Sequence, residues 1–433
     1  MKQKHLLIAS FLCLLMLGSA MTYSILRDED SYLGYTGLGD SIEVSDDDRK
    51  LYFSYYLDGS ESIYRANSDG SNVEKLTNAV GYRHRRPALS PDGEKLLYVS
   101  ENEDSIQSLF VANADGTKKK KITDNDIQVQ EAVFSQENTI YYVAMPAEAV
   151  HKAEGETQEG YDLHVVDLDG KNEKKLTDED HFTMNHLSIS EDGSQIYYTL
   201  FNGNSDQVYS YHVKKESESL VNWDVDGHSF NDWNYNEDAN AIVYTDVSEQ
   251  SKESSLFKYE LFYTDLGDDQ TKQLTNLQSS IVSPEFFHQS NQIAFLEYTN
   301  WASDPAEYTV KSVDPETKKI REIKLDLPES NNNHWFRKTL SVVTSSTAIA
   351  VLYTLLLGFL TLYYQKKSGK RYRVGIISLI LTGLIFLSSI LIATMSNPWA
   401  GIAIGMIAFG LLPCSIIALV IGFIAGKLAK RTD

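Results

Sequence analysis

Short apolar runs, separated by polar turns, repeat along most of this chain. The clearest is Arg86 to Thr123. Leu96-Leu97-Tyr98-Val99 follows the turn Ser90-Pro91-Asp92-Gly93, and Leu109-Phe110-Val111-Ala112 ends at Asp115-Gly116. Asp and Gly both tolerate positive φ, so Asp-Gly fits a tight hairpin turn. The pattern predicts a small antiparallel meander. Its second-strand core recurs at Leu51, Leu96, Ile140, Ile196, Ile242 and Ile293, spaced 44 to 56 residues apart. The later turn recurs at Asp69-Gly70, Asp115-Gly116 and Asp169-Gly170, and Leu76-Thr77, Ile122-Thr123 or Leu176-Thr177 begins seven residues after each Asp. Leu274-Thr275 keeps that register behind Leu266-Gly267. A four-stranded unit at this period signals a β-propeller, because one blade cannot bury both of its faces alone.

Ser-Pro-Asp-Gly, two apolar strands, Asp-Gly and Leu-Thr together resemble the TolB-like propeller repeat, which also builds the propellers of some prolyl-oligopeptidase-type enzymes. The resemblance spans residues 38–325 and is most complete in blades two and three. It implies a scaffold and specifies no chemistry. One short stretch tests the peptidase branch. Gly227-His228-Ser229-Phe230-Asn231 matches a nucleophile elbow for three positions, then has Asn where the elbow needs Gly, and no hydrolase half follows it. We read it as a loop. Six blades are expected to close the ring with four strands each, although Tyr32 to Thr36 could supply an exchanged strand. Met145 to Gly160 reads as a surface loop inserted between the second and third strands of blade three.

Hydropathy divides the rest of the chain. Leu6 to Met21 follows Lys2 and Lys4 and reads either as an export signal or as an uncleaved anchor. Leu340–Tyr364, Val374–Thr394 and Gly401–Gly426 are each long enough to cross a bilayer about 30 Å thick. The expected organisation is a signal or anchor over 1–26, a propeller over 38–325, a linker over 326–338 and three spans over 339–433. The fold class is thus an all-β six-bladed propeller joined to an α-helical membrane region. Gln365 to Arg373 and the tail residues Lys427, Lys430 and Arg431 are basic, which marks the cytoplasmic side. A multi-pass protein of the cell membrane follows, with its propeller extracytoplasmic and its C-terminus cytoplasmic. The spans carry no interior charge, which favours anchoring or helix packing over transport.

Charge narrows the partners. The stretch 27–336 holds 59 of the 60 acids and 27 of the 39 bases, a net charge of −32. Such a domain repels nucleic-acid phosphate, so no nucleic-acid partner is expected. Cys13 and Cys414 are the only cysteines and both lie in apolar segments, so the propeller has no disulfide. No histidine pattern matches a zinc site. Asp167-Asp169 and Asp224-Asp226 match only the start of a calcium loop. No cofactor and no catalytic motif is expected.

Candidate binding residues lie where the innermost strands meet the channel mouth. Aligned repeats place Arg85 and Arg86, Gln130 and Glu131, Asn185 and His186, and Asn231 and Asp232 at one depth, with Asp40 and Ser41. Arg83 and His84 extend the basic cluster. The first reading of such a ring is a set of salt bridges and hydrogen bonds between blades, and the second is binding of an anionic ligand or a peptide terminus. Trp223, Trp233 and Trp301 are candidates for an exposed aromatic face. The expected function is a protein- or ligand-binding scaffold at the cell surface. A regulatory subunit of a membrane complex and a propeller enzyme with a channel-mouth active site are the alternatives.

Overall fold

A computed structural model describes residues 2–26, 30–80, 82–136, 139–152, 159–223, 225, 229–267, 270–330, 332 and 335–429, without the side chains of 336–338 and 341. It divides into two compact units, one of residues 30–332 and one of the helical segments on either side.

The first unit contains six antiparallel sheets, each of four strands consecutive in sequence. This is the six-bladed propeller. Leu51, Leu96, Ile140, Ile196, Ile242 and Ile293 lie in the six second strands and are all fully buried. The near-continuous apolar runs there have a simple cause: a second strand is covered by a neighbouring blade on each face, so both sets of alternating side chains are buried. Six apolar clusters fill the six spaces between blades. The closing one packs Leu38 and Phe53 of blade one on Leu296 and Val310 of blade six. No strand crosses from one sheet to another among the described residues. Tyr32 to Thr36 forms a turn whose Tyr35 carbonyl accepts the Gly59 N–H at 2.7 Å.

The repeated Leu-Thr lies just beyond the fourth strand, which in blade two is only Lys120–Lys121. There the third strand's Leu109 N–H donates to Thr123 Oγ1 at 3.0 Å, and the Ile122 N–H donates to the Leu109 carbonyl at 2.8 Å. Thr77, Thr177 and Thr275 receive Ile63, Leu163 and Leu261 N–H in the same way, each at 2.9 Å. A hydroxyl therefore replaces the strand's backbone acceptor at the point where the chain leaves the sheet. The lysines of 118–121 are exposed on this outer edge, where positive charge opposes pairing with another sheet.

The second unit has helices α1 (Gln3–Leu26), α2 (Trp335–Val343), α3 (Ser346–Ser368), α4 (Arg373–Met395) and α5 (Pro398–Ala429). Four of them, all but α2, are long and apolar enough to cross a membrane. The stretch expected as one span from Leu340 breaks at Ser345, whose hydroxyl caps α3 by accepting the Ala348 N–H at 3.2 Å. Inside this unit Ser378 Oγ lies 2.8 Å from Tyr353 Oη and 2.7 Å from Ser415 Oγ, so hydroxyls pair across α3, α4 and α5.

Thr123→Val should strand the Leu109 N–H in a dry site and lower stability by about 1–3 kcal/mol, whereas Thr123→Ser should lose little. Denaturant unfolding of the full chain in detergent, followed through the propeller tryptophans, checks this.

Candidate functional site

The inner strands are where the repeat bends. Pairing between first and second strands shifts register between Leu38 and Ile42, Arg85 and Ala88, Asn185 and Ser188, and Val282 and Glu285, and again beside Glu131 in blade three. Arg86, His186 and Ser283 sit at such bulges with φ of 54°, 56° and 51°. A bulge releases one residue from the ladder and re-aims its neighbours. Here the freed side chains and N–H groups turn toward the next blade.

The result is a closed circuit of bonds. Glu43 of blade one accepts the Leu89 N–H of blade two at 3.1 Å. Arg86 donates to the Gln130 carbonyl at 2.5 Å and to Glu131 at 3.3 Å, both in blade three. Gln130 donates to Asn185 Oδ1 at 3.1 Å, and the Leu187 N–H of blade four donates to Glu131 at 2.9 Å. His186 Nε2 lies 3.3 Å from Asp232 of blade five. Asp232 accepts the Ser283 N–H of blade six at 2.6 Å, and Asn234 donates to Glu285 at 2.7 Å. The Ile42 N–H of blade one returns to Ser283 Oγ at 3.0 Å and completes the ring.

Arg86, Glu131, His186, Asn231 and Asp232 line the channel with Asp40 and Ser41, whereas Gln130 and Asn185, and the trio Arg83, His84 and Arg85, are not among its lining residues. Those three lie between blades one and two. Arg85 contacts Glu61 at 3.0 Å and Glu101 at 3.4 Å, and Glu61 is only 1% exposed. Burial pushes the Glu61 carboxyl up, and Arg85 pulls it back. Arg83 contacts Asp30 at 2.5 Å and lies over the Tyr32 ring. His84 is buried against Tyr98, 2.8 Å from Thr77 Oγ1, and burial with nearby Lys119 and Lys75 pushes its pKa down to about 4. It is therefore a neutral packing residue. The basic cluster of the sequence is spent on acids between two blades.

The channel holds a cavity of about 1280 Å³ that runs from Asp40 and Tyr308 to the turns carrying Asp46, Glu191, Glu237 and His288. Its lining is rich in acid. Burial pushes the Glu43 carboxyl up to about 7, against the Leu89 N–H and with help from Asp46. Glu285 is raised well above the usual range by burial, by Glu43 and by Asp232. Asp232 is raised by burial while His186 opposes the shift. Arg86 is already committed to Glu131, so it offsets little of this.

The remaining candidates have structural explanations. Asp169 pairs with Lys171 at 2.7 Å and Asp167 accepts from Asn172 at 2.7 Å, which satisfies that turn without a metal. No cluster of metal-ligating side chains occurs among the described residues. Asp224, Asp226, Gly227 and His228 lie outside the described residues, and with them the second partial calcium loop and most of the elbow-like stretch. Trp233 is buried and donates to Thr199 at 2.7 Å, and Trp223 packs against it, so neither forms an exposed aromatic face. Trp301 Nε1 donates to the Phe257 carbonyl at 2.6 Å.

Glu43, Asn234, Ser283 and Glu285 were not among the sequence candidates. The period contains them. Ser41, Arg86, Gln130, His186, Asp232 and Ser283 all stand ten residues before the second-strand anchor, and Glu43, Asn234 and Glu285 stand eight before it. Counting back from the anchors, rather than forward from the turns, finds an inner-strand position in every blade, blade six included.

No protein-family model and no curated protein matches the sequence. Solved structures do match in fold. The chain is similar to TolB from Acinetobacter baumannii at 15% identity, over 66% of each chain, with a TM-score of 0.50. An oligogalacturonate lyase from Vibrio parahaemolyticus is similar at 14% identity over 66% of this chain and 92% of its own, with a TM-score of 0.45. A prolyl endopeptidase is similar at 9% identity over 74% and 54%, with a TM-score of 0.48. The TolB alignment thus leaves about a third of that chain unmatched. The class is defined at this level: a six-bladed TolB-like propeller on a chain that also carries four apolar, membrane-capable helices.

Glutamate in an unfolded chain titrates near 4.5, so a folded value of about 7 means that folding favours protonated Glu43. The stability this gives is complete below pH 4.5 and is lost as pH rises through 7. Glu43→Gln should match the wild type at low pH and exceed it by about 1–3 kcal/mol above neutrality. Unfolding midpoints measured across that range check the sign. An unchanged pH dependence would show that Glu43 is not held in this way.

Proposed function

We propose that the protein is a membrane-anchored binding module whose extracytoplasmic propeller accepts a basic segment of a partner at the acidic mouth of its channel. The observation that carries this is the acid-rich cavity of about 1280 Å³ opening among the turns of Asp46, Glu191 and Glu237. Its carboxyls favour cations, because a positive partner restores the ionised form that burial and neighbouring acids disfavour. Its size suits a peptide segment or a small amine. The inner ring residues Arg86, Gln130, Glu131, Asn185, His186, Asn231 and Asp232 act on the ligand by fixing the shape and field of the channel. Arg83, His84 and Arg85 contribute by holding blades one and two together.

The apolar helices supply the anchor, with α1 either a retained anchor or a cleaved signal. The basic stretch 365–373 lies on the cytoplasmic side together with the C-terminal tail, which sets the propeller outside. The net charge of −32 over 27–336 keeps this domain soluble and away from other anionic polymers.

A photo-crosslinker placed at Glu237 in the full chain, in native membranes, should capture a partner through a Lys- or Arg-rich segment. Asp46→Lys with Glu191→Lys should abolish that product, while a charge change at the exposed outer turn of Asp115 should leave it intact. A product indifferent to the first pair contradicts the acidic-channel reading. A reporter enzyme active only outside the cytoplasm should work when fused after residue 332 and fail when fused after residue 370.

A further inference from the structure

Alternating strand direction gives each blade two kinds of loop. Turns joining strands one to two and three to four lie on one face of the propeller. Connections from strand two to three, and from the fourth strand to the next blade, lie on the other. The large apolar side chains exposed in the described propeller all belong to this second face. Val80 and Tyr82 lie between blades one and two, and Phe182, 69% exposed, lies between blades three and four. Phe201 ends the second strand of blade four, and Leu256 with Phe257 follows that of blade five. Leu33, before blade one, and Leu220, at the end of blade four, extend the set. The opposite face is built from Asp-, Asn- and Gly-rich turns and exposes none among the described residues.

Both ends of the propeller chain are fixed to this same apolar face. Asp30 is paired with Arg83 at 2.5 Å, and Tyr35 Oη donates to the Ala306 carbonyl at 2.6 Å. At the other end Tyr55 Oη donates to the Pro328 carbonyl at 2.7 Å, and Asn332 Nδ2 donates to Asp58 at 2.9 Å. From Leu26, the end of α1, to Asp30 is four residue steps, and an extended residue spans about 3.5 Å, so this tether reaches at most about 14 Å. At the other end α2 begins three residues after Asn332, and the span α3 begins at Ser346.

We infer that this face rests on the lipid surface, with Val80, Tyr82, Phe182 and Phe257 entering the headgroup region. The inference rests on the membrane-anchored reading above. With α1 retained as an anchor, its short tether holds this face near the interface, and aromatic and apolar side chains are what that layer accepts. The net charge of −32 means the contact is apolar rather than electrostatic, so zwitterionic lipid is sufficient for it. The acidic channel end then points away from the membrane, toward partners.

The full chain, with Cys13 and Cys414 changed to Ala, is reconstituted into phosphatidylcholine nanodiscs and spin-labelled singly at Val80→Cys, Phe182→Cys or Asn240→Cys. Asn240 lies in a turn of the opposite face. Labels at 80 and 182 should collide several-fold more with oxygen than with a water-soluble nickel chelate, relative to the label at 240. Equal, water-like behaviour at all three sites, in protein that resists alkaline extraction from membranes, overturns the lipid contact and leaves the anchor standing. Release on alkaline extraction overturns both. Labels at 80 and 182 that are water-exposed in nanodiscs but shielded in native membranes assign the face to a protein instead, and also overturn the proposal.

Discussion

The structure depends on closing a circle. Six sheets with apolar faces are stable only when the last packs on the first, and the interface of blades six and one must therefore be as specific as the other five. Leu296 and Val310 against Leu38 and Phe53 supply its apolar part. Apolar packing has little direction, so it does not by itself fix how far each blade turns about the axis. The inner-strand circuit does. Its links run from carboxylate, guanidinium, amide or hydroxyl groups to the backbone or side chains of the adjacent blade. Each has a short reach and a preferred angle, so each sets the spacing of one pair of inner strands.

That circuit decides what the channel can do. Had Arg83, Arg85 and Arg86 faced the channel freely, an anionic ligand would be the natural guest. Arg85 is instead held by Glu61 and Glu101, and Arg86 by Glu131. Pairing leaves the carboxyls of Glu43, Asp232 and Glu285 around the axis, each held toward its neutral form chiefly by burial and poised to ionise beside a cation. The same side chains serve assembly and electrostatics, because the groups that close the ring necessarily face its centre.

Much of this was legible in the sequence. Turn chemistry and the six second-strand anchors marked the blades because both are local: Asp-Gly turns need particular φ values, and a strand buried on both faces must be apolar throughout. The hydropathy of the helices is equally direct, although Ser345 moved the start of one span. The candidate ring was visible in position but not in role. Whether Arg85 faces the axis or Glu61 depends on a one-residue bulge, which reverses the alternation of every side chain after it. Blade six has no Ser-x-Asp-Gly-type turn, and Ser283 and Glu285 drop out of the sequence ring although their spacing from the second-strand anchor is kept. Trp223 and Trp233 show the reverse error, since an aromatic next to a loop still packs inward when a neighbouring blade covers it.

Hydrogen exchange of the full chain in nanodiscs tests the central claim, that inner strands are locked to one another by bonds across the blades. The amides of Leu89, Leu187 and Ser283 donate to carboxylates of neighbouring blades. If the circuit holds the ring, these three exchange as slowly as the buried second strands and only through opening of the whole propeller. Exchange as fast as in the exposed turns would contradict it, and would mean that packing alone closes the circle.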